Sequence, residues 1–106
     1  MRSKRTKATD IPQKVKEKVY KRDHGLCIIC GRMGIPNSHY IKRSQGGLGI
    51  EENIVTMCLE CHNAYDNGND TKRTKYIKEE TRRYLQNKYK DWNEKNLIYD
   101  KWRYLK

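Results

Sequence analysis

The chain of 106 residues carries 24 Lys and Arg against 13 Asp and Glu, a formal net charge of +11. This length allows one domain. Because only 35% of the residues are hydrophobic and Phe is absent, we expect the fold to need a stabilising feature besides its apolar core. No apolar run approaches the ~18–20 residues of a membrane span, and the first ten residues lack the apolar stretch of a secretory signal. We therefore expect neither a membrane protein nor a secreted disulfide scaffold, and we predict a cytoplasmic location.

The charge is unevenly distributed along the chain. Residues 1–23 carry a net charge of +6, residues 24–71 carry −2, and residues 72–106 carry +7. The central segment holds every Cys and His. Two basic flanks favour a polyanionic partner such as nucleic acid, because Lys and Arg that neutralise phosphates release counterions. A solvated, Lys-rich surface is the alternative interpretation.

The first part of the chain combines an arm with one helix. Residues 1–9 are basic and polar without periodicity, which predicts a mobile arm. Residues 10–22 show helical spacing of apolar side chains and predict a helix, which Thr9 or Asp10 would cap. The spacing is that of Ile11, Val15 and Val19.

The rest of the chain alternates short strands with helices. The segment 42–53 holds three Gly residues and must be a loop. The predicted strands cover residues 38–41 and 54–57, and the predicted helices cover residues 59–66 and about 72–89. We expect a single α+β domain with its core at 10–71 and a basic helical extension at 72–106. Large apolar side chains of the tail should pack on this domain, namely those of Trp92, Leu97, Ile98, Trp102 and Leu105.

Four cysteines form two C-x2-C pairs that are separated by 27 residues. Two such turns present four thiolates to one point, which is the tetrahedral arrangement of sulfur ligands around structural zinc. The ligands are Cys27, Cys30, Cys58 and Cys61. Two disulfides, a redox C-x2-C motif and a rubredoxin-like iron site are the alternatives. The lack of an export signal and the presence of two matched pairs favour Zn²⁺.

Further motifs lie between and beside the cysteine pairs. They are Ser-His-Tyr-Ile-Lys-Arg-Ser around His39, then a Gly-rich loop, then Glu-Asn-Ile-Val-Thr-Met-Cys and Cys-Leu-Glu-Cys-His. In this order they resemble the HNH endonucleases over Arg22 to about Gly68. The resemblance implies a small stand-alone phage or prophage nuclease in a bacterial host cell. Its expected fold is a ββα-metal core with a four-cysteine zinc site, flanked by N- and C-terminal helices.

The resemblance also implies roles for individual residues. His39 falls at the position of the general base, and an imidazole pKa near ~6.5 suits that task. Asn53 falls at the position that braces the loop and orients the base. His62 falls at the catalytic metal position, and Asp66, four residues later, lies on the same helical face. An imidazole and a carboxylate, completed by water and phosphate oxygens, suit Mg²⁺ or Mn²⁺.

The sequence departs from the family pattern directly before the base. An acidic residue or His usually binds the catalytic metal there, whereas this chain has Ser38. We assign Ser38 to the metal site and consider Asn37 as a compensating group. Arg43 follows the base and would clamp the scissile phosphate through its fork of donors, with Lys42 as a second DNA contact.

These motifs predict a metal-dependent DNA endonuclease. The alternatives are a zinc-ribbon DNA-binding protein without catalysis and an accessory subunit that is inactive without its partner. By family analogy, a phage large terminase subunit is the partner to consider, which would link the protein to DNA packaging.

Overall fold

The computed structural model describes residues 4–68 and 71–100. Its α-helices are α1 (Lys4–Thr9), α2 (Gln13–Arg22), α3 (Leu59–Asn67) and α4 (Lys72–Lys88). Its strands are β1 (Ile35–His39) and β2 (Ile54–Met57), and 3₁₀ turns cover Arg43–Gln45 and Glu94–Leu97. The predicted α+β class is confirmed, with β1, β2 and α3 as the ββα unit. None of the described helices has the length and apolar character needed to cross a membrane.

The two strands are antiparallel and place His39 beside the end of β2. His39 pairs with Ile54 and Ser38 pairs with Val55, but the register is irregular between Ile35 and Ser38. Pro36 lies in this irregular stretch, where its missing N–H removes a bond from the ladder. The predicted strand at 38–41 was displaced: β1 starts three residues earlier, because it continues through Pro36 at the irregular register, and it ends at His39. The second strand was predicted correctly.

The core forms where α2 packs on both strands and α3 packs on β2 and α4. Its fully buried side chains include those of Val19, Ile54, Val55, Met57, Ile77 and Leu85. Part of the tail packs on this core as predicted, because Leu97 is buried and the rings of Trp92 and Tyr40 lie 5.6 Å apart. Ile98, also predicted to pack there, is 38% exposed. Trp102 and Leu105 lie outside the described residues.

A buried ion pair at the end of α2 joins three elements. The Arg22 guanidinium donates to the Asp23 carboxylate at 2.7 Å. Its other acceptors are the carbonyl oxygens of Glu51 and Ile54 and the hydroxyl of Tyr89. Asp23 accepts from the Thr56 backbone N–H at 2.9 Å and from the Tyr84 hydroxyl. The pair therefore ties α2 to β2 and to the end of α4.

The N-terminal segment corrects two expectations. Residues 4–9 form α1 instead of a mobile arm, because hydrogen bonds to the rest of the protein hold a stretch that has no apolar periodicity. Helix α2 begins at Gln13 and has Pro12 before its first residue, without a side-chain cap. Thr9 bonds back to carbonyls of α1 and Asp10 pairs with Arg43, so neither residue caps α2.

Candidate functional site

The four cysteines come together at one point. The sulfur atoms of Cys27, Cys30, Cys58 and Cys61 all lie within 4.8 Å of one another. Cys30 is exposed and the other three are buried. Among the described residues this is the only group of three or more His, Cys, Asp or Glu side chains with metal-binding geometry. Four convergent thiols match the donor set of structural zinc, and the expected four-cysteine site is present.

Backbone groups around the first cysteine pair act on the thiol of Cys27. The N–H of Gly31 donates to the Cys27 carbonyl at 3.0 Å, and Gly31 has a φ of 79° that closes the turn without a Cβ penalty. Burial alone would raise the pKa of the Cys27 thiol. The backbone N–H groups of Cys30, Cys58 and Ile29 outweigh that effect and bring the pKa to about 7. These N–H groups thus favour the thiolate of Cys27, which is the form that binds metal.

The second cysteine pair sets the start of α3. Cys58 is the N-cap, and its sulfur accepts from the Cys61 backbone N–H at 3.4 Å. His62 follows at once and Asp66 lies one turn further on, with His62 Nε2 and Asp66 Oδ2 at 3.0 Å. A metal bound by the cysteines would therefore fix the helix end that presents this imidazole and carboxylate.

Ser38 lies directly beside the His62–Asp66 pair. Its side chain is buried, and Ser38 Oγ lies 2.5 Å from His62 Nδ1. The direction of this bond depends on the tautomer of His62, and a metal on Nε2 would leave the hydrogen on Nδ1, which would then donate to Ser38 Oγ. Ser38 therefore orients His62, and its role as a metal ligand stays a prediction.

His39 is held by the backbone of the N-terminal segment. The side chain is 8% exposed, and His39 Nε2 lies 2.8 Å from the carbonyl oxygen of Thr9. A carbonyl oxygen only accepts, so Nε2 carries the hydrogen and Nδ1 is the basic nitrogen of the neutral ring. Burial lowers the pKa of His39 below its usual range, although the Thr9 carbonyl acts in the opposite direction.

Asn53 joins the two ends of the Gly-rich loop. It is completely buried. Its Oδ1 accepts from the Ile41 N–H at 2.8 Å, and its Nδ2 donates to the carbonyls of Ile41 at 3.2 Å and Leu48 at 2.8 Å. The geometry is that of a loop brace, without contact to a reacting group.

His39, His62 and Asp66 line one open cleft of about 700 Å³. Lys42, Arg43, Ser44 and Asn37 line it as well, and so do Asp10, Ile11 and Lys16. The structure thus brings most of the predicted catalytic and DNA-binding side chains together. Ser38 and Asn53 are the exceptions, because both are buried and neither lines the cleft. Arg43 pairs with the carboxylate of Asp10 in this cleft.

Three groups of this site were missed by the sequence analysis. They are the Thr9 carbonyl, the Asp10 carboxylate and the Lys16 ammonium. The carbonyl carries no side-chain signal, and the two side chains reach the cleft only through tertiary packing. The basic character of residues 1–23 was the one sequence signal that pointed to Lys16.

Comparison with known families finds one match, which includes part of the cleft. Residues 27–68 match the family model of the HNH endonucleases. This segment of the chain is therefore similar to an HNH endonuclease domain. Neither a curated protein nor a solved structure matches the chain. The HNH match covers the four cysteines, both strands and α3, and it leaves α1, α2 and α4 outside.

The match to this family supports metal-linked nuclease chemistry for the cleft. Both the four-cysteine cluster and the His62–Asp66 pair lie within the matched residues. Three cleft-lining residues, Asp10, Ile11 and Lys16, lie before the matched segment. The segment that matches the HNH family and the residues before it thus form the cleft together.

Proposed function

We propose that the protein is a metal-dependent DNA endonuclease in which His39 is the general base. One observation carries the proposal: the bond from His39 Nε2 to the Thr9 carbonyl leaves Nδ1 as the proton acceptor, in the same cleft as His62 and Asp66. A base in this state removes a proton from water as the water attacks phosphorus. The expected products have 5′-phosphate and 3′-hydroxyl ends, as the family resemblance implies.

His62 and Asp66 are the residues that would hold the catalytic metal. One neutral imidazole and one carboxylate suit Mg²⁺ or Mn²⁺, which commonly keep several waters and complete their shell with substrate phosphate oxygens. When bound, a divalent ion supplies positive charge that stabilises the phosphoryl oxygens and the leaving 3′-oxygen. Ser38 keeps the His62 ring in place through its hydroxyl.

The cationic lining of the cleft supports DNA as the substrate. Lys16, Lys42 and Arg43 line it together, on a chain with a formal net charge of +11. Such side chains neutralise backbone phosphates and position the duplex without reading its sequence. The half-exposed Arg43 guanidinium would exchange the Asp10 carboxylate for a phosphate.

Plasmid nicking tests the proposal. Zinc-loaded protein is incubated with supercoiled plasmid and Mg²⁺ or Mn²⁺, with EDTA as the metal control. We expect metal-dependent nicking by the wild type and its loss in His39→Asn, while DNA binding is retained. His24→Asn is the matched control, because His24 is exposed and has a φ of 57° that Asn tolerates. Full cleavage by His39→Asn would reject the assigned base.

A second candidate function is DNA binding without catalysis, as a zinc-ribbon protein or an accessory subunit. The observation in its favour is that no third imidazole or carboxylate joins His62 and Asp66 in the described part of the chain. In that case the wild type would shift plasmid in a gel and never nick it at any divalent metal concentration. Nicking that appears only after a phage large terminase subunit is added would identify the accessory role in DNA packaging.

A further inference from the structure

The N-terminal segment, residues 4–10, lies outside the HNH match and yet contacts the cleft at several points. The Thr9 carbonyl bonds to His39, and the Ala8 carbonyl accepts from the Gly49 N–H at 2.9 Å. The Arg5 guanidinium donates to the Ser44 carbonyl at 3.1 Å. These contacts link the segment to the base and to two points of the Gly-rich loop, Ser44 and Gly49.

The close approach between this segment and the loop depends on Gly49. A Cβ at position 49 would lie 1.9 Å from the carbonyl oxygen of Asp10, which is far inside van der Waals contact. Thr9 itself is 4% exposed and its hydroxyl bonds within α1. The position of the Thr9 carbonyl is therefore fixed by the bonds of its own residue within α1 and by the packing of Asp10 against Gly49.

The opposite side of the same loop is held by the C-terminal segment. The N–H of Leu48 donates to the Leu97 carbonyl at 2.7 Å, and the N–H of Tyr99 donates to the Gly46 carbonyl at 2.7 Å. The loop therefore has little freedom to follow a displaced N-terminal segment. A shift of residues 4–10 would open the bond between Thr9 and His39.

We propose that residues 4–10 are a positioning element of the active site, whose Thr9 carbonyl fixes the tautomer and orientation of the His39 ring. The inference rests on the proposed nuclease function for its effect on catalysis, but the tautomer of His39 is independent of that function. Without the carbonyl, hydrogen on Nδ1 would remove the basic nitrogen from the reaction. An orientation error of this kind lowers kcat by up to about 100-fold.

The first test displaces the segment with Gly49→Ala in the full zinc-loaded chain. The ¹⁵N shifts of the His39 ring report its tautomer at about pH 8, where a neutral imidazole dominates, and plasmid nicking gives kcat and KM. We expect an Nε2-protonated ring in the wild type and mixed tautomers in Gly49→Ala. We also expect kcat to fall about 10- to 100-fold and KM to change less than about twofold.

Two variants with a smaller structural change keep the inference testable if Gly49→Ala does not fold. Arg5→Ala removes the exposed bond to Ser44, and Arg5→Lys restores a donor. Lys7→Ala removes the same charge from an exposed position on the same helix, so a KM change common to both Ala variants reports DNA electrostatics. A kcat loss in Arg5→Ala that Arg5→Lys partly restores, and that Lys7→Ala lacks, supports positioning.

Two results would overturn the inference. One is an Nδ1-protonated His39 ring in the wild type. The other is an unchanged tautomer together with unchanged kcat in both Gly49→Ala and Arg5→Ala. If the wild type does not cleave DNA, the proposed function fails, and the ring shifts alone decide whether the segment positions His39.

Discussion

At the scale of single residues, Asn53 shows how much one side chain contributes to a small fold. It satisfies one backbone donor and two backbone acceptors in a buried place. We predict that Asn53→Asp lowers the free energy of unfolding by at least about 2 kcal/mol, because the carboxylate has no hydrogen for the carbonyls of Ile41 and Leu48. Urea unfolding in the presence of zinc measures the change. Asn63→Asp is the control, since Asn63 is exposed on α3, and equal losses in both variants would contradict the prediction.

The residues of the site that could be predicted are those whose signal is local in the sequence. The closeness of His62 and Asp66 follows from their spacing of four on α3, and the observed distance between Nε2 and Oδ2 is 3.0 Å. The choice of His62 as a metal ligand came from the family resemblance. The contact of His39 with Thr9 spans 30 positions and uses a backbone atom. Every residue has a carbonyl, so no side-chain pattern marks this one. The catalytic roles of His39, Asn53 and Arg43 stay predictions.

At the scale of secondary-structure elements, the Arg22–Asp23 pair determines how α2 joins β2 and α4. The side chain of Asp23 is completely buried and that of Arg22 is 13% exposed. We predict that Asp23→Asn lowers the free energy of unfolding by about 3–5 kcal/mol, because it leaves a buried guanidinium without its counterion. Glu17→Gln, at an exposed position on α2, is the control in the same denaturation experiment. A loss below about 1 kcal/mol, the range of surface pairs, would contradict the prediction.

The same pair predicts a pH dependence of stability. Burial would raise the pKa of Asp23, but hydrogen bonds from Arg22 and Tyr84 outweigh it, and the pKa lies below its usual value. A lowered pKa stabilises the fold above the unfolded value of about 3.9, and this contribution disappears as pH falls through the folded pKa. The stability difference between wild type and Asp23→Asn should therefore shrink below about pH 4. Zinc loss in acid affects both proteins, so the difference between them is the quantity to measure.

The boundaries of a helix or strand could be predicted where its own sequence holds the apolar and capping residues that define it. They could not be predicted where contacts with distant residues define the element. Strand β2 is four consecutive buried residues, and α3 starts at the cysteine pair. Helix α1 has the sequence Lys-Arg-Thr-Lys-Ala-Thr, which has no apolar face. Its bonds to Ser44, Gly49 and His39 supply the stabilisation that a helix of this length lacks on its own. The start of β1 was predicted too late because Pro36 disfavours a regular strand, yet β1 includes Pro36 at an irregular register.

At the scale of the whole molecule, the cysteine cluster connects the two ends of the segment that matches the HNH family. The cysteine cluster joins the turn before β1 to the start of α3, and the apolar core is small. We predict that removal of zinc by a chelator abolishes the cooperative thermal transition, since structural zinc supplies about 10–16 kcal/mol of apparent binding energy in small domains. Circular dichroism during heating measures this, with restoration by Zn²⁺ and not by Mg²⁺ as the control. An unchanged melting temperature after verified zinc removal would contradict it.

The charge of the whole molecule predicts how DNA binding depends on salt. The cleft is lined by Lys16 of α2 together with Lys42 and Arg43, and each phosphate contact releases counterions. We predict that Lys16→Ala reduces the slope of log K against log salt concentration by about 1 and weakens binding equally across DNA sequences. Lys14→Ala is the matched control, because Lys14 is exposed on the same helix and is not among the residues that line the cleft. Fluorescence anisotropy with a short duplex at several salt concentrations measures both slopes.

Each variant loses one positive charge. Equal slopes in the two variants would therefore mean that only the overall charge attracts DNA. A smaller slope in Lys16→Ala alone would place the DNA backbone in the cleft that holds His39.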